Sequence, residues 1–185
     1  LLVEASSSIP MDDGLDMETM LANSLMEFLE GEDAPLSDVI IGRGTDFWRL
    51  RHAISDGLKA SGKVIGMDIA VRRSDIAAVR QALTSRVNAR FPALRICDFG
   101  HVGDGGLHFN LVAPSDDPAA GAIDEDLVRS FVYDTVVREF GGSFSAEHGI
   151  GPANVHFLER YADVKGQALS RAIFEVLDPV GILRR

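Results

Sequence analysis

The chain has 185 residues, 46% of them hydrophobic, and its 28 acidic and 18 basic residues give a net charge of -10. No Lys/Arg stripe is interleaved with aromatic residues, which argues against nucleic-acid binding. No apolar run approaches the roughly 18 residues that span a bilayer, and the first residues show no export signal, which argues against membrane insertion and secretion. The single cysteine, Cys97, excludes an internal disulfide framework and predicts a cytoplasmic location.

Strands and helices are predicted in alternation along the first half of the chain. Hydrophobic periodicity and turn residues predict strands at 1–6, 38–41 and 63–71, and helices at 17–31, 45–61 and 75–90. Ser74 is the expected N-cap of the third helix, whose apolar stripe is Ile76, Val79, Leu83 and Val87.

The second half begins with the two strands that decide the fold class. Strands are predicted at 94–102 and 107–113, a loop at 115–122, a helix at 124–140, an extended piece at 142–145, and helices at 154–161 and 165–177. Because the adjacent strands are joined by a hairpin, the sequence favours an α+β fold, an antiparallel sheet with flanking helices, over a doubly wound parallel sheet.

Two histidines bracket the glycine-rich turn between those strands. A tight turn over Gly103–Gly106 places His101 and His108 opposite each other, with Cβ atoms roughly 5 Å apart on one face. Two imidazoles and a carboxylate suit a divalent metal such as zinc, and Asp104 and Glu147 are both candidates for the third ligand. The alternative is a cross-strand histidine pair on a solvated sheet face.

Four other polar residues are candidate site residues. In extended backbone Glu147 and His148 point to opposite sides, so we expect one to bind the metal and the other to face a different part of the pocket. Asn110 shares the strand face of His108 and either orients a substrate or is a solvated amide. Arg51 and Ser55 lie one helical turn apart and either contact a carboxylate together or form a solvated helix face.

Three ordered motifs resemble a known family. They are the run from His101 to Asn110 (HVGDGGLHFN), residues 145–151 (SAEHGIG) and residues 177–183 (LDPVGIL). Together they resemble the C-terminal domain of FAD-linked oxidases, in the branch of the D-lactate and D-2-hydroxyglutarate dehydrogenases. Upstream of these motifs, residues 47–51, Ser55 and residues 67–71 match the same family in the same order. The resemblance therefore covers residues 1–185 as one C-terminal cap domain.

The resemblance implies a ferredoxin-like cap domain that meets an N-terminal FAD domain absent from this chain and oxidises a small D-2-hydroxy acid. It implies a divalent metal, usually zinc, bound by His101, His108 and Glu147. It also implies that His148 is the general base. Arg51 and Ser55 match contacts to the substrate carboxylate, and Asn110 matches a polar residue near the substrate. A homodimer is one possible assembly.

At three positions the chain departs from the family pattern. Gly106 replaces a common asparagine, in a turn where we expect a positive φ that glycine also allows. Gly66 replaces a lysine, which removes a second anchor for a distal carboxylate and argues against a dicarboxylate substrate. Asn154 replaces a lysine that commonly follows the Gly-Ile-Gly motif.

Two other functions remain open from the sequence. One is a non-redox metal-binding or assembly module, and the other is a metallohydrolase that uses a metal-bound water. Because the chain starts without an initiator methionine, we expect it to be a piece of a longer polypeptide and to be inactive alone.

Overall fold

The computed structural model describes residue 3 and residues 16–30, 34–41 and 45–182, which form two compact units, residues 1–56 and 57–185. The helices are Met17–Met26 (α1), Thr45–Ser61 (α2), Ile76–Arg90 (α3), Pro118–Gly121 (α4), Glu125–Tyr133 (α5), Gly151–Tyr161 (α6) and Val164–Leu177 (α7). The strands are Gly62–Ile65 (β1), Asp68–Ala70 (β2), Arg95–Ile96 (β3), Gly106–His108 (β4) and Leu111–Pro114 (β5).

In the first unit, α1 begins after Asp16, whose carboxylate caps it by accepting the Thr19 N–H at 2.7 Å. The strand predicted at 38–41 is wrong, because this segment is irregular. Just before it, the Leu36 N–H donates to the Phe28 carbonyl. The strand predicted at 1–6 lies outside the described residues apart from Val3.

In the second unit, antiparallel strands form two small sheets, which confirms the predicted fold class. One sheet has the order β1-β5-β3, and the other pairs β2 with β4. The predicted strand 63–71 is interrupted at 66–67 and the predicted strand 107–113 at 109–110. These interruptions face each other, because the Phe109 N–H donates to the Met67 carbonyl at 2.8 Å. The residue pairing therefore continues without a shift from one sheet to the other.

The glycine-rich connection is longer than the predicted tight turn over Gly103–Gly106. Residues 102–104 form a 3₁₀ turn, and Phe99, rather than His101, pairs with His108. The positive φ in this turn falls on Gly105, at 85°, so the expectation for Gly106 was wrong. His101 therefore lies on the loop before β4 instead of opposite His108.

Helices cover the sheets with the apolar stripes that the sequence predicts. The stripe of α3 is buried as expected, but Ser74 does not cap the helix, because it lies in a 3₁₀ turn and donates to the Asp75 carboxylate. The predicted helix 124–140 is α5 followed by a π-helical segment, Asp134–Glu139. The predicted loop 115–122 contains the short helix α4.

The core lies between these helices and the strands. Its most enclosed side chains include Ile65, Ile69, Val79, Leu83, Val87, Phe109, Leu111, Val128, Val132, Tyr133, Val136 and Phe157. By contrast α7, which is described in full, has no buried residue, and Val176 is 80% exposed. Among the helices of the described part of the chain, none is both long and apolar enough to cross a membrane.

Candidate active site

The strand pair β2 and β4 fixes the first two residues of the site. Asp68 and His108 are register partners across this antiparallel pair, so their side chains lie on the same face. His108 also pairs with Phe99 on its other side, through His108 N–H to Phe99 carbonyl at 2.7 Å. His108 is therefore held from both sides by the backbone.

The segment after the π-helix is attached to the free edge of β2. Ser143 and Ala70 exchange two backbone hydrogen bonds, and the Ala146 N–H donates to the Asp68 carbonyl at 3.0 Å. The chain then bends, and the N–H groups of Glu147 and His148 both donate to Asp68 Oδ2, at 2.8 and 3.0 Å. These contacts carry Glu147 and His148 to the site.

The structure brings four of the predicted site residues together. Glu147 Oε1 lies 3.4 Å from His108 Nε2, 3.6 Å from His101 Nε2 and 3.6 Å from His148 Nε2. The His148 ring stacks on the His108 ring, with centroids 5.3 Å apart, and the His101 ring meets it edge to face. The expectation that Glu147 and His148 face different directions was wrong, because the backbone bends at 146–148 instead of staying extended.

Two overlapping groups of residues offer metal-ligating atoms within 4.8 Å of one another. One is His101, His108 and Glu147, and the other is Asp68, His108 and His148. Within the part of the chain that the structure describes, the other candidate ligand, Asp104, belongs to neither group and is exposed. The geometry therefore favours Glu147 over Asp104 as the third ligand.

Burial and hydrogen bonding set the charges at the centre of the site. Burial lowers the pKa of His108 below its usual value despite the nearby carboxylates of Asp68 and Glu147, which favours the neutral imidazole that metals bind. Burial alone would raise the pKa of Asp68, but the backbone N–H groups of Glu147 and His148 and the two neighbouring histidines together lower it. Asp68 is therefore a carboxylate at neutral pH.

Asp68 is the residue that sequence reasoning missed. Its side chain is 13% exposed, whereas those of His101, Glu147 and His148 are about half exposed. The available signal was an aspartate between the apolar residues Met67 and Ile69 of a predicted strand, a position that disfavours aspartate unless the carboxylate has partners.

Of the predicted substrate contacts, Asn110 belongs to the second unit, whereas Arg51 and Ser55 belong to the first. Asn110 is buried and its amide donates to the His108 carbonyl at 3.2 Å, while an added Cβ on Gly66 would lie 3.3 Å from Asn110 Oδ1. Arg51 is half-buried and Ser55 is exposed, on consecutive turns of α2 in the first unit. Their roles as substrate contacts stay predictions.

A cavity of about 470 Å³ opens beside Glu147. Its walls include Phe144, Ile150, Leu158 and Tyr161. This volume lies in the range of small-molecule pockets.

Comparison with known proteins identifies the class. The chain belongs to the family described as FAD linked oxidases, C-terminal domain, whose sequence model matches residues 1–185.

Among similar proteins is the mitochondrial D-2-hydroxyglutarate dehydrogenase of Arabidopsis thaliana, 29% identical over 184 residues, or 99% of this chain and 31% of that protein. The D-2-hydroxyglutarate dehydrogenase of Xanthomonas citri is 33% identical over 153 residues, 80% of this chain and 32% of that protein. That of Stutzerimonas stutzeri is 31% identical over 145 residues, 75% of this chain and 30% of that protein. The chain thus spans 30% to 32% of the length of these relatives.

Proposed function

We propose that this chain is the substrate-side part of a flavin-dependent dehydrogenase that oxidises a D-2-hydroxy acid, lactate-like or 2-hydroxyglutarate-like, to the 2-oxo acid. The observation that carries the proposal is the convergence of His101, His108 and Glu147, with His148 stacked on His108. The names of the similar proteins support the reaction class.

His101, His108 and Glu147 would hold a divalent metal, most simply zinc. Two imidazoles and one carboxylate form the donor set of a catalytic zinc centre with an open coordination position, and the neutral state of His108 fits it. When bound, the metal supplies Lewis-acid polarisation of the substrate hydroxyl, which lowers its pKa.

His148 would move the proton of the reaction. It accepts the 2-hydroxyl proton at Nε2 while the C2–H bond breaks with its electron pair and the C–O bond becomes a carbonyl. FAD supplies the hydride-accepting chemistry when bound, and we assign it to the part of the protein that precedes this chain. The exposure of His101, Glu147 and His148 leaves these side chains accessible to a substrate.

The substrate carboxylate would be held by Arg51 and Ser55, and Asn110 would orient the substrate beside His108. The guanidinium fork suits two hydrogen bonds to a carboxylate. Gly66 has no side chain that could bind a distal carboxylate, which favours a substrate whose far end is neutral over a dicarboxylate.

The proposal also covers the cellular location of the protein and its oligomeric state. We assign the protein to the cytoplasm, because the single cysteine of this chain is typical of a reducing compartment. Several relatives are named as mitochondrial, so imaging of the tagged complete protein separates the two locations. The mass of the complete protein in solution tests for a homodimer.

Anaerobic reduction of the flavin in the complete protein tests the function directly. The protein is mixed with a panel of D-2-hydroxy acids, with the L-enantiomers as matched controls, and the flavin absorbance is followed. We expect bleaching by at least one D-acid and none by its L-enantiomer.

Each competing function has its own outcome in that experiment. A complete protein without flavin and without stoichiometric metal would support the assembly module instead. A protein with metal but no flavin, and with hydrolytic activity that a chelator removes, would support the metallohydrolase.

A further inference from the structure

We infer that Asp68 is a positioning residue that orients His108 and holds the Glu147–His148 segment against it. The inference rests on the proposed metal site and adds a residue to it. It is carried by the placement of both carboxylate oxygens of Asp68, each of which has a separate role.

Oδ1 of Asp68 faces the His108 ring. It is buried, has no hydrogen-bond partner among the described residues, and lies 3.3 Å from His108 Nδ1. A buried acceptor without a partner costs free energy, so a small rotation of the ring that gives Oδ1 an N–H is favourable. His108, the register partner of Asp68 across the strand pair, supplies this N–H.

This contact determines which nitrogen of His108 is free for a metal. A neutral imidazole has one N–H and one lone pair, so placing the proton on Nδ1 leaves the lone pair on Nε2. His108 Nε2 is the atom 3.4 Å from Glu147 Oε1, on the side of the candidate ligand set. Carboxylates that orient metal-binding histidines in this way strengthen metal binding.

Oδ2 of Asp68 holds the second part of the site. It accepts the backbone N–H groups of Glu147 and His148, 79 and 80 residues away in sequence, and lies 3.6 Å from His148 Nδ1. A single side chain therefore connects the strand ligand His108 to the loop that carries Glu147 and His148.

The substitution Asp68→Asn separates orientation from loss of fold in the complete protein. The asparagine oxygen can still accept the two backbone N–H groups, but its NH₂ group then faces His108 Nδ1 and requires a lone pair there. The proton of His108 moves to Nε2, which blocks that atom for a metal. Asp104→Asn removes the same charge from an exposed position near His101 and is the matched control.

The test measures the zinc dissociation constant by competition with a graded series of chelators. We expect the constant to rise about 10- to 100-fold in Asp68→Asn and to change by less than about twofold in Asp104→Asn. Equal constants in the two variants would overturn the inference while leaving the proposed metal site intact. A wild-type protein that binds no zinc would instead remove the proposed site and the inference with it.

A measurement on the unsubstituted protein decides the case if Asp68→Asn does not fold. Histidine labelled with ¹⁵N in the zinc-loaded complete protein reports which ring nitrogen of His108 bears the proton. The inference requires the proton on Nδ1. A proton on Nε2, with Nδ1 bound to the metal, overturns it.

Discussion

His108 is the most enclosed of the three histidines in the site, and its removal tests the ligand set at the scale of one residue. We expect His108→Ala to lose metal affinity by more than the roughly 10- to 100-fold typical of outer-shell residues, because a direct ligand is removed. Metal content after dialysis of the complete protein measures the loss. His156→Ala is the control, since His156 is a half-exposed histidine that contacts Asp126. Equal metal content in both variants would contradict the assignment.

Arg51 tests the substrate side of the proposal. Lysine keeps the positive charge but cannot donate two parallel hydrogen bonds, so Arg51→Lys should raise KM for the D-2-hydroxy acid by about 10-fold or more, with a smaller effect on kcat. Steady-state kinetics of the complete protein measure both constants. Arg49→Lys, two residues earlier on α2, should leave KM unchanged. An unaltered KM in Arg51→Lys would remove Arg51 from the site.

The residues of the site were predictable from sequence to different degrees. His101, His108 and Glu147 stand in motifs whose residue types already indicate metal chemistry. Asp68 does not, because its partners lie 40 and 79 residues away, and only the strand register and the hydrogen bonds of the 143–148 segment bring them together. The direction of Glu147 and His148 was also out of reach, since it depends on the backbone bend at 146–148, where two N–H groups donate to Asp68.

At the scale of elements, the loop between β3 and β4 depends on a close approach at Gly100. A Cβ on Gly100 would lie 2.6 Å from the Gly106 carbonyl oxygen and 2.8 Å from Leu107 Cα, so Gly100→Ala forces the loop away from β4. We expect a loss of about 1–3 kcal/mol of stability and weaker metal binding, because His101 moves relative to His108.

Gly103 supplies the matched control in the same loop. A Cβ there meets no atom within 4 Å among the described residues, and its φ is not positive, so Gly103→Ala should leave stability and metal binding unchanged. Denaturant unfolding and metal titration compare the two variants. Similar behaviour of both would show that the close approach at Gly100 does not position His101.

The packing of α6 is tested at Tyr161, whose hydroxyl donates to Asp134 at 2.9 Å. Burial and this hydrogen bond raise the pKa of Tyr161 to about 12. The folded state therefore keeps the proton between pH 10 and 12, where the unfolded state loses it, and this stabilisation is present below pH 10 and lost as pH rises through 12. Tyr161→Phe should cost about 1 kcal/mol below pH 10.

The pH dependence of thermal unfolding provides the measurement for Tyr161. The difference in midpoint between the wild type and Tyr161→Phe should be constant up to about pH 10 and shrink above it. A difference that stays constant through pH 12 would show that Tyr161 ionises equally in both states.

The elements themselves were largely predictable, and their pairing was not. Periodicity located α3 and the runs that contain the strands of the second unit, because burial of one face shows directly in the residue pattern. It could not show the interruptions at Gly66 and Asn110, which divide one register between two sheets. It also predicted a strand at 38–41, a short apolar run with β propensity that is irregular in the structure.

At the scale of the whole molecule, the metal-binding and substrate-binding parts of the proposal lie in different units. Asp68, His101, His108, Glu147 and His148 are all within residues 57–185, whereas Arg51 and Ser55 belong to residues 1–56. The flavin is assigned to a part of the protein outside this chain. Metal binding should therefore require far less of the protein than catalysis does.

The 185-residue chain expressed alone should bind about one divalent metal per chain and oxidise no D-2-hydroxy acid. All of the proposed ligands are held by backbone contacts inside one compact unit, so the coordination geometry does not depend on the rest of the protein. Elemental analysis after dialysis measures the metal, and circular dichroism verifies folding.

The exposed apolar residues of α7 make self-association a hazard, so the measurement belongs at low protein concentration. The control is the double variant His101→Ala, His108→Ala, which should fold and retain no metal. A folded chain without metal, beside a complete protein that holds it, would show that the ligands converge only when the remaining part of the protein is present.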